Sequence, residues 1–322
     1  MTFRNQEWIN ASELPPFVRD ELLGPATSVT ERYYRTAKGG FLDPAKVTLE
    51  KPFVVAIAGS GKGIGADIAL SYASAGATGI LLSSRTEKDL RKVAEDINSI
   101  NPSCQVEYEV CDVSRKEDVQ RLASHCKKSF GRLDVAVINA AILSKFVNDP
   151  DGTTRLPHGI LEDTPEDHFN VWQTNYNGAY LTAKTLLPLI QETTGGVKAI
   201  VFVSSLGSLY HNTAICSAAY NISKFALNRL AEYVHEDYKA DGVVSFALHP
   251  GCIQVNKDYE KEWEDVLIDD ISLPGGFCVW LTKAKRDWLS GRFISSNWDV
   301  NELESRKDGI VAKDLFKFTL TL

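Results

Sequence analysis

From residue 52 onward, short β-branched and aliphatic runs alternate with longer stretches whose apolar positions recur every three or four residues. The short runs, at 53–58, 79–83, 105–110, 133–139, 199–204, 243–248 and 292–295, read as strands. Most are nearly continuous in apolar residues, the pattern of a strand buried on both faces. The longer stretches at 64–74, 86–99, 115–130, 166–191 and 218–240 carry helical periodicity. Strand followed by helix, repeated, predicts an α/β domain over 52–322 with a doubly wound parallel sheet and right-handed crossovers.

Three segments break this rhythm. Residues 1–51 form an N-terminal extension containing Trp8, residues 15–17 and the pair Tyr33–Tyr34, read as a packing or oligomer element. Residues 146–160 are rich in Pro, Gly and Asp. Residues 252–275 are polar, acidic and broken by Pro274-Gly275-Gly276. Loops leaving the carboxyl ends of parallel strands surround a ligand crevice, so substrate loops are expected near 142–165, 206–219 and 252–275.

Composition narrows the partners. The 322 residues are 44% hydrophobic and 24% charged, with a net charge of −7. That balance argues against nucleic acid and anionic membranes, which reward clustered Lys and Arg. No apolar run approaches the ~18 residues of a membrane span, and the N-terminal stretch, polar and bearing Glu7, is no secretory signal. Six scattered cysteines show no Cys-x-x-Cys pair and no metal-ligand spacing. The expectation is a reduced, cytoplasmic protein that holds no metal.

The first strand runs into Gly59-Ser60-Gly61-Lys62-Gly63-Ile64-Gly65 and then an alanine-rich helix. Glycines let the backbone approach a pyrophosphate at a helix N-terminus, where free N–H groups and the dipole favour anions. The loop parses as Gly61-x-Gly63-x-x-Ala66 or as Gly59-x-x-x-Gly63-x-Gly65; the second starts at the strand end and is preferred. This marks the fold as Rossmann-like. The second strand ends Leu82-Ser83-Ser84-Arg85, without the carboxylate that would take a free ribose 2′-hydroxyl. Arg85 can hold a 2′-phosphate in its planar fork and Lys62 adds a second cation, although either alone could be surface charge. Glu87 follows a helix N-cap, Thr86, and is read as a first-turn residue facing the dipole. The balance favours NADP(H) over NAD(H).

Tyr-x-x-x-Lys sets a phenol and an ammonium one helical turn apart, an arrangement suited to acid/base work. It occurs three times: Tyr34–Lys38, Tyr180–Lys184 and Tyr220–Lys224. The first precedes the nucleotide fold, and the second sits mid-helix. The third opens the helix that follows a strand ending Val203-Ser204-Ser205, on the carboxyl side of the sheet. Context selects Tyr220.

With these residues in place, the chain resembles the single-domain, Tyr-x-x-x-Lys branch of the short-chain dehydrogenase/reductase family over about 53–255. Cys111-Asp112-Val113, Asn139-Ala140-Ala141, Asn175-Tyr176-Asn177-Gly178, Ser204-Ser205 and Pro250-Gly251 stand in the family's order with the glycine loop and Tyr220-x-x-x-Lys224. The resemblance implies that Tyr220 exchanges a proton with the substrate oxygen. Lys224 would lower its pKa and bind the nicotinamide ribose, Ser205 would hold the oxygen, and Asn175 would order a water in a proton relay. It implies a dinucleotide held by Gly59, Gly61, Lys62, Gly63, Ile64, Gly65 and Arg85. Asp112 would bond the adenine amine beside Val113, and Asn139 with Ala140 would support the fourth strand, Pro250 and Gly251 completing the set. Asn175 also reads as a buried, hydrogen-bonded asparagine, and Ser205 as a turn residue.

The chain departs from the family at Ala58, Ile138, Ala141 and Val255, the last where a threonine often binds the carboxamide. The Ser205–Tyr220 interval is longer than usual, so its loop, with Tyr210, His211 and Cys216, is expected to bulge toward the substrate. His211 reads as a surface residue, and the other histidines fall into no pattern. The C-terminal stretch around Gly291–Asp299 resembles fungal relatives in specialised metabolism, which implies a polyketide- or terpenoid-like ketone, and family habit implies a homodimer or homotetramer. The expected activity is NADP(H)-dependent reduction of a ketone, or oxidation of the alcohol, on a small hydrophobic molecule. The competing readings are a non-redox isomerase or cyclisation enzyme that retains the nucleotide, and a nucleotide sensor without catalysis.

Overall fold

The computed structural model describes residues 7–13, 29–150, 154–213, 216–255 and 266–320. Residues 15–17 and much of the acidic stretch before Val266 lie outside them. Two short strands, β1 (Trp8–Asn10) and β2 (Arg32–Tyr34), pair antiparallel. A seven-stranded parallel sheet follows: β3 (Val54–Ala58), β4 (Gly79–Ser84), β5 (Gln105–Val110), β6 (Val135–Ile138), β9 (Ala199–Val203), β10 (Val244–His249) and β11 (Arg292–Ser295). Between β6 and β9 lies a small hairpin of β7 (Val147–Asn148) and β8 (Thr154–Arg155). Across the sheet the order is β11-β10-β9-β6-β3-β4-β5. The winding direction reverses between β3 and β6, and that reversal opens the crevice for a ligand.

Alternate residues of each strand feed opposite layers. Val55, Ile57, Ile80, Leu82, Val201 and Phe246 pack on one side; Val54, Ala56, Ala58, Leu81, Ile200 and Phe202 pack on the other. The first layer meets α1 (Gly63–Ser74), α2 (Glu87–Ile100) and, later in the chain, α7 (Ser272–Thr282). The second meets α3 (Lys116–Phe130), α5 (Gly178–Glu192) and α6 (Ala218–Tyr238). The short α4 (Pro165–Trp172) precedes α5, and α8 (Val300–Ser305) and α9 (Lys307–Ala312) follow β11.

Two expectations need correction. The helix expected over 166–191 is interrupted by a π-helical turn, Gln173–Asn177, between α4 and α5. Pro274-Gly275-Gly276 does not break the chain; it lies in the first turns of α7, every residue of which is buried. Proline costs little so near a helix start, where its missing N–H has no partner to lose. The glycines permit close approach. A Cβ on Gly275 would overlap the Ser71 hydroxyl on α1, and one on Gly276 would overlap Ala37 and the Leu42 carbonyl.

Ala37 and Leu42 belong to the N-terminal segment, which joins the main core through Tyr34, Ala37, Leu42 and Leu49. Polar bonds pin it further. Asn297 Nδ2 donates to the Tyr34 carbonyl and to Asp269 Oδ2, both at 2.8 Å. Asp269 Oδ2 in turn accepts from the Cys252 N–H at 2.7 Å, and its carboxyl faces Arg35 at 3.8 Å. Burial pushes that carboxyl up to about 7.

Because the α7 contact leaves no room for a side chain, Gly276→Val should lower stability by about 1–3 kcal/mol, read from the urea midpoint. A variant as stable as the wild type would contradict the close packing of α7 on residues 37–42.

Candidate active site

The tight turn falls where β3 ends. Gly59 has φ +84°, and a Cβ there would lie 2.7 Å from the Ala140 backbone. A Cβ on Gly65 would overlap the Gly59 carbonyl, which also accepts from Asn139 Nδ2 at 2.8 Å. The Asn139 and Ala140 N–H groups both bond the Ala58 carbonyl. These contacts hold the ends of β3 and β6 together beneath the start of α1, whose first-turn N–H groups have no intrahelical acceptor.

A cleft of about 530 Å³ runs along this edge. It is lined by Gly59, Gly61, Lys62, Gly63 and Ile64 at one wall, and by Ser84 and Arg85 beyond the end of β4. Asp112 and Val113, Asn139 and Ala140, and Tyr220, Lys224 and Pro250 complete it. Gly65 stands just behind the loop, and Gly251 lies in a neighbouring pocket. Lys62 and Arg85 are exposed, and neither has an ion-pair partner among the described residues. Thr86 occupies the N-cap of α2, but its hydroxyl makes no capping bond. Glu87 pairs with Arg91 at 2.6 Å on the outer face of that helix. Asp89, one turn on, lines the cleft; no sequence signal separated it from other first-turn acids. Asp112 Oδ1 accepts from the Ser114 N–H and hydroxyl at 3.0 and 2.6 Å.

The second pocket, about 170 Å³, lies at the far end and is mainly apolar. Leu143, Leu156, Ile253, Val255 and Val266 line it, together with Ser205, Tyr220 and His249. Ile64, Leu143, Ser204, Tyr220, Pro250 and Val255 border both cavities. Tyr220 therefore stands at the junction.

Local chemistry fixes these side chains. Ser217 caps α6, accepting from the Tyr220 N–H, and its hydroxyl meets that of Ser144 at 2.6 Å. One turn on, the Lys224 side chain is buried; Nζ donates to the Val203 carbonyl at 2.7 Å and lies 5.7 Å from the Tyr220 ring centroid. Burial pulls this amine down to about 7. The Ser204 hydroxyl is taken up by Asn228 Oδ1 and the Lys224 carbonyl. Ser205 Oγ accepts from the Gly207 N–H at 3.0 Å, which leaves its proton to donate into the pocket. Of the other two Tyr-x-x-x-Lys pairs, Tyr34 is buried in the core, and Tyr180 with Lys184 is on the exposed face of α5.

Asn175, in the π-helical turn, lines neither cavity. Its Oδ1 accepts from the Ile142 N–H at 2.8 Å, while Nδ2 donates to the Ile142 carbonyl at 3.0 Å and to Ser223 Oγ at 3.1 Å. The amide thus clamps the backbone of Ile142, a wall residue of the cleft. No group of three or more potential metal ligands occurs among the described residues, where all six cysteines are free. No described helix is long and apolar enough to cross a membrane.

The Lys224 amine has a lowered folded pKa, so its charge costs stability in full below about pH 7. That cost fades as the pH rises from about 7 toward 10.5, where the unfolded amine also loses its proton. Without cofactor, Lys224→Met should therefore be the more stable protein at pH 6 by about 1–4 kcal/mol. Its advantage should shrink at pH 9 in urea unfolding; an advantage independent of pH would contradict a buried, titrating amine.

The sequence and fold both have relatives. The family model described as short chain dehydrogenase matches residues 53–265. The chain is 34% identical over 290 residues to the short chain dehydrogenase pgmD of Aspergillus terreus, covering 87% of this chain and 90% of that one. It is 34% identical to the short chain dehydrogenase mpl6 of Monascus purpureus, covering 83% and 88%. A solved short-chain type dehydrogenase/reductase from Mycobacterium marinum superposes with a TM-score of 0.66 at 23% identity, covering 79% of this chain and 96% of that one. A short chain dehydrogenase from Escherichia coli CFT073, complexed with NADPH, does so at 0.64 and 23%, covering 78% and 98%. With its Rossmann-like sheet and this match over most of its length, the chain belongs to the short-chain dehydrogenase family of oxidoreductases, which use nicotinamide cofactors.

Proposed function

We propose that the protein is an NADP(H)-dependent oxidoreductase that reduces a ketone of a small, neutral, hydrophobic metabolite, or oxidises the corresponding secondary alcohol. The observation that carries this reading is the place of Tyr220, between a long cleft built for a dinucleotide and a smaller apolar pocket. The cleft fits the cofactor: glycines without side chains at the turn, helix N–H groups above it, and two exposed cations, Lys62 and Arg85, in its lining. When bound there, the nicotinamide supplies or accepts the hydride.

The chain's own groups do the rest. The Tyr220 hydroxyl gives its proton to the carbonyl oxygen in reduction and takes it back in oxidation. The Ser205 hydroxyl donates to the same oxygen and steadies the charge that grows on it. Lys224, fixed by the Val203 carbonyl, sets an amine beside the tyrosine, so a charged ammonium there favours the phenolate. Asn175 holds the Ile142 peptide and with it the cleft wall. Ile64, Leu143, Leu156, Ile253 and Val266 give the substrate an apolar surface.

Arg85 and Lys62 support NADP(H), as does the NADPH held by a similar structure. Asp89 favours a second reading, NAD(H), because its carboxylate would repel a 2′-phosphate. Exposed Phe169, Tyr180, Ile222 and Tyr233 on α4, α5 and α6 support an oligomer formed through those helices.

Fluorescence titration separates the two cofactor readings. With NADP(H) as the cofactor, Arg85→Ala weakens NADPH binding by about 10–100-fold and leaves NADH binding unchanged, since charge-assisted bonds contribute about 1.5–3 kcal/mol. Asp89→Asn tightens NADPH binding. Equal affinities in the wild type would support NAD(H), and binding of neither would sink the redox proposal. In a ketone screen that follows NADPH oxidation, Tyr220→Phe should lose about 10²–10⁴ in rate while retaining cofactor affinity. A fully active variant would remove Tyr220 from the chemistry.

A further inference from the structure

The β1–β2 hairpin precedes the sheet and stands outside the stretch that carries the family likeness. Its two faces differ. Trp8, Asn10 and Arg32 are exposed, with the Arg32 guanidinium 4.7 Å over the Trp8 ring. Ile9 and Tyr33, directly opposite each other in the strand register, are buried. Alternate residues of a strand point to opposite faces, so this pair is the hairpin's inward side. The hairpin is also pinned in place. The Tyr34 N–H donates to the Asn297 carbonyl at 2.7 Å, and the Arg35 carbonyl accepts from the Asp270 N–H at 2.8 Å. Glu302 on α8 accepts from the Glu31 and Arg32 N–H groups at 2.7 and 3.1 Å.

What the inward pair meets is the back of the small pocket. Ile9 and Tyr33 form one apolar cluster with Leu206 and Val266, and Cys252 packs against it. Leu206, Cys252 and Val266 all line that pocket. Burial pushes the Tyr33 phenol up, and the nearby Asp269 carboxyl and Cys252 thiol push it further, which sets its ring beside the Cys252 turn. Leu206 follows Ser205, and its N–H is fixed on His249 Nδ1 at 3.0 Å. Its backbone is thus held from the sheet, while its side chain belongs to the hairpin's cluster. Protein interiors are close-packed, so a wall residue yields to a ligand only when there is space behind it.

We infer that the β1–β2 hairpin is part of the substrate site, and that Ile9 and Tyr33 are positioning residues for specificity. Standing behind Leu206 and Val266, they keep the pocket wall from yielding and so restrict the substrate to ketones whose apolar arm is compact. The inference rests on the proposed reading of the small pocket as the place of the substrate, and it deepens that reading by limiting the size of ketone accepted. It gives the N-terminal extension a task in recognition, beyond the packing or oligomer role that its sequence suggests.

The test compares acetophenone with hexanophenone, whose acyl arm is longer by several methylenes. Calorimetric titration of the full chain in the presence of NADP⁺ reads ketone binding without turnover. Ile9→Ala removes side-chain carbons behind the wall, into whose place Leu206 or Val266 can turn. The affinity for hexanophenone relative to acetophenone should rise at least about 4-fold over the wild type, the worth of one further buried methylene. Ile9→Val, a smaller truncation, should move the ratio the same way by about 2-fold, and it carries the test should the alanine variant fail to fold. Trp8→Ala disturbs the same hairpin from its outer face and should leave the ratio unchanged. All three variants should keep NADPH affinity, since neither Trp8 nor Ile9 lines the long cleft.

The inference is overturned if the ratio in the Ile9 variants stays at or below that of the wild type, or if none of the proteins binds either ketone. It is also overturned if Trp8→Ala raises the ratio as much, because the hairpin then acts only through general loosening. NADPH oxidation with the same ketones is read separately. A raised ratio without reduction of either ketone would sink the oxidoreductase proposal and leave the hairpin assignment standing. Reduction of the ketones with an unmoved ratio would do the reverse.

Discussion

The amine of Lys224, held 2.7 Å from the Val203 carbonyl and almost wholly sealed from water, has no carboxylate partner among the described residues. Such a group is unfavourable to bury, and the fold tolerates it where it joins two elements that must keep a fixed relation. The bond ties α6 to the end of β9. It therefore sets the height of Tyr220 above the sheet, one turn earlier on the same helix. The turn after β9 brings Ser205 to the same place, while the neighbouring Ser204 is spent on the helix through Asn228. A buried amine drawn down to about 7 also responds to its surroundings. Under the proposed function, the arrival of an anionic dinucleotide favours its charged form and so the phenolate of Tyr220.

Sheet topology supplies the rest of the frame. The reversal of winding between β3 and β6 opens the crevice, and Asn139 keeps it from spreading by gripping the Gly59 carbonyl. The opposite layer depends on tight contact. α7 packs against α1 and the N-terminal segment through two glycines, and Asn297 and Asp269 tie that segment to the backbone of Cys252 beside the small pocket. Residues remote in sequence from the glycine loop thereby hold Cys252, which lines the small pocket.

Much of the fold was legible because parallel strands and their covering helices write strong patterns. All seven strands of the sheet and five helical regions followed from them, and the family resemblance followed from motif residues standing in order along the chain. α7 was not legible, because Pro274-Gly275-Gly276 signals a break when only local preference is weighed; close packing against α1 and residues 37–42 overrode it. The π-helical turn around Asn175 left no trace in a continuous helical pattern. In the candidate site, the glycine loop, the strand end at Arg85 and the context of Tyr220 and Lys224 were read from the residues, and the family resemblance added Asp112; Gly59, Gly61, Gly63, Arg85, Asp112, Tyr220 and Lys224 line one cleft. Asp89 and His249 escaped notice, since one acid in a helix and one histidine at a strand end carry no motif. What distinguishes them is position, which only the folded chain supplies. For Asn175 the resemblance implied a water-ordering role and the residue alone a buried, hydrogen-bonded asparagine; the structure shows its amide bonded to Ile142 and Ser223.

The central claim is that a nicotinamide ring and a substrate meet at Tyr220, where the two cavities join. A crystal structure of the protein with NADP⁺ and a bound ketone tests it most directly. The account predicts the adenosine phosphate beside Arg85, the pyrophosphate over the glycine loop, and the ketone oxygen within hydrogen-bond reach of the Tyr220 and Ser205 hydroxyls. A dinucleotide whose nicotinamide end lies away from Tyr220, or a ketone held outside the apolar pocket, would contradict it.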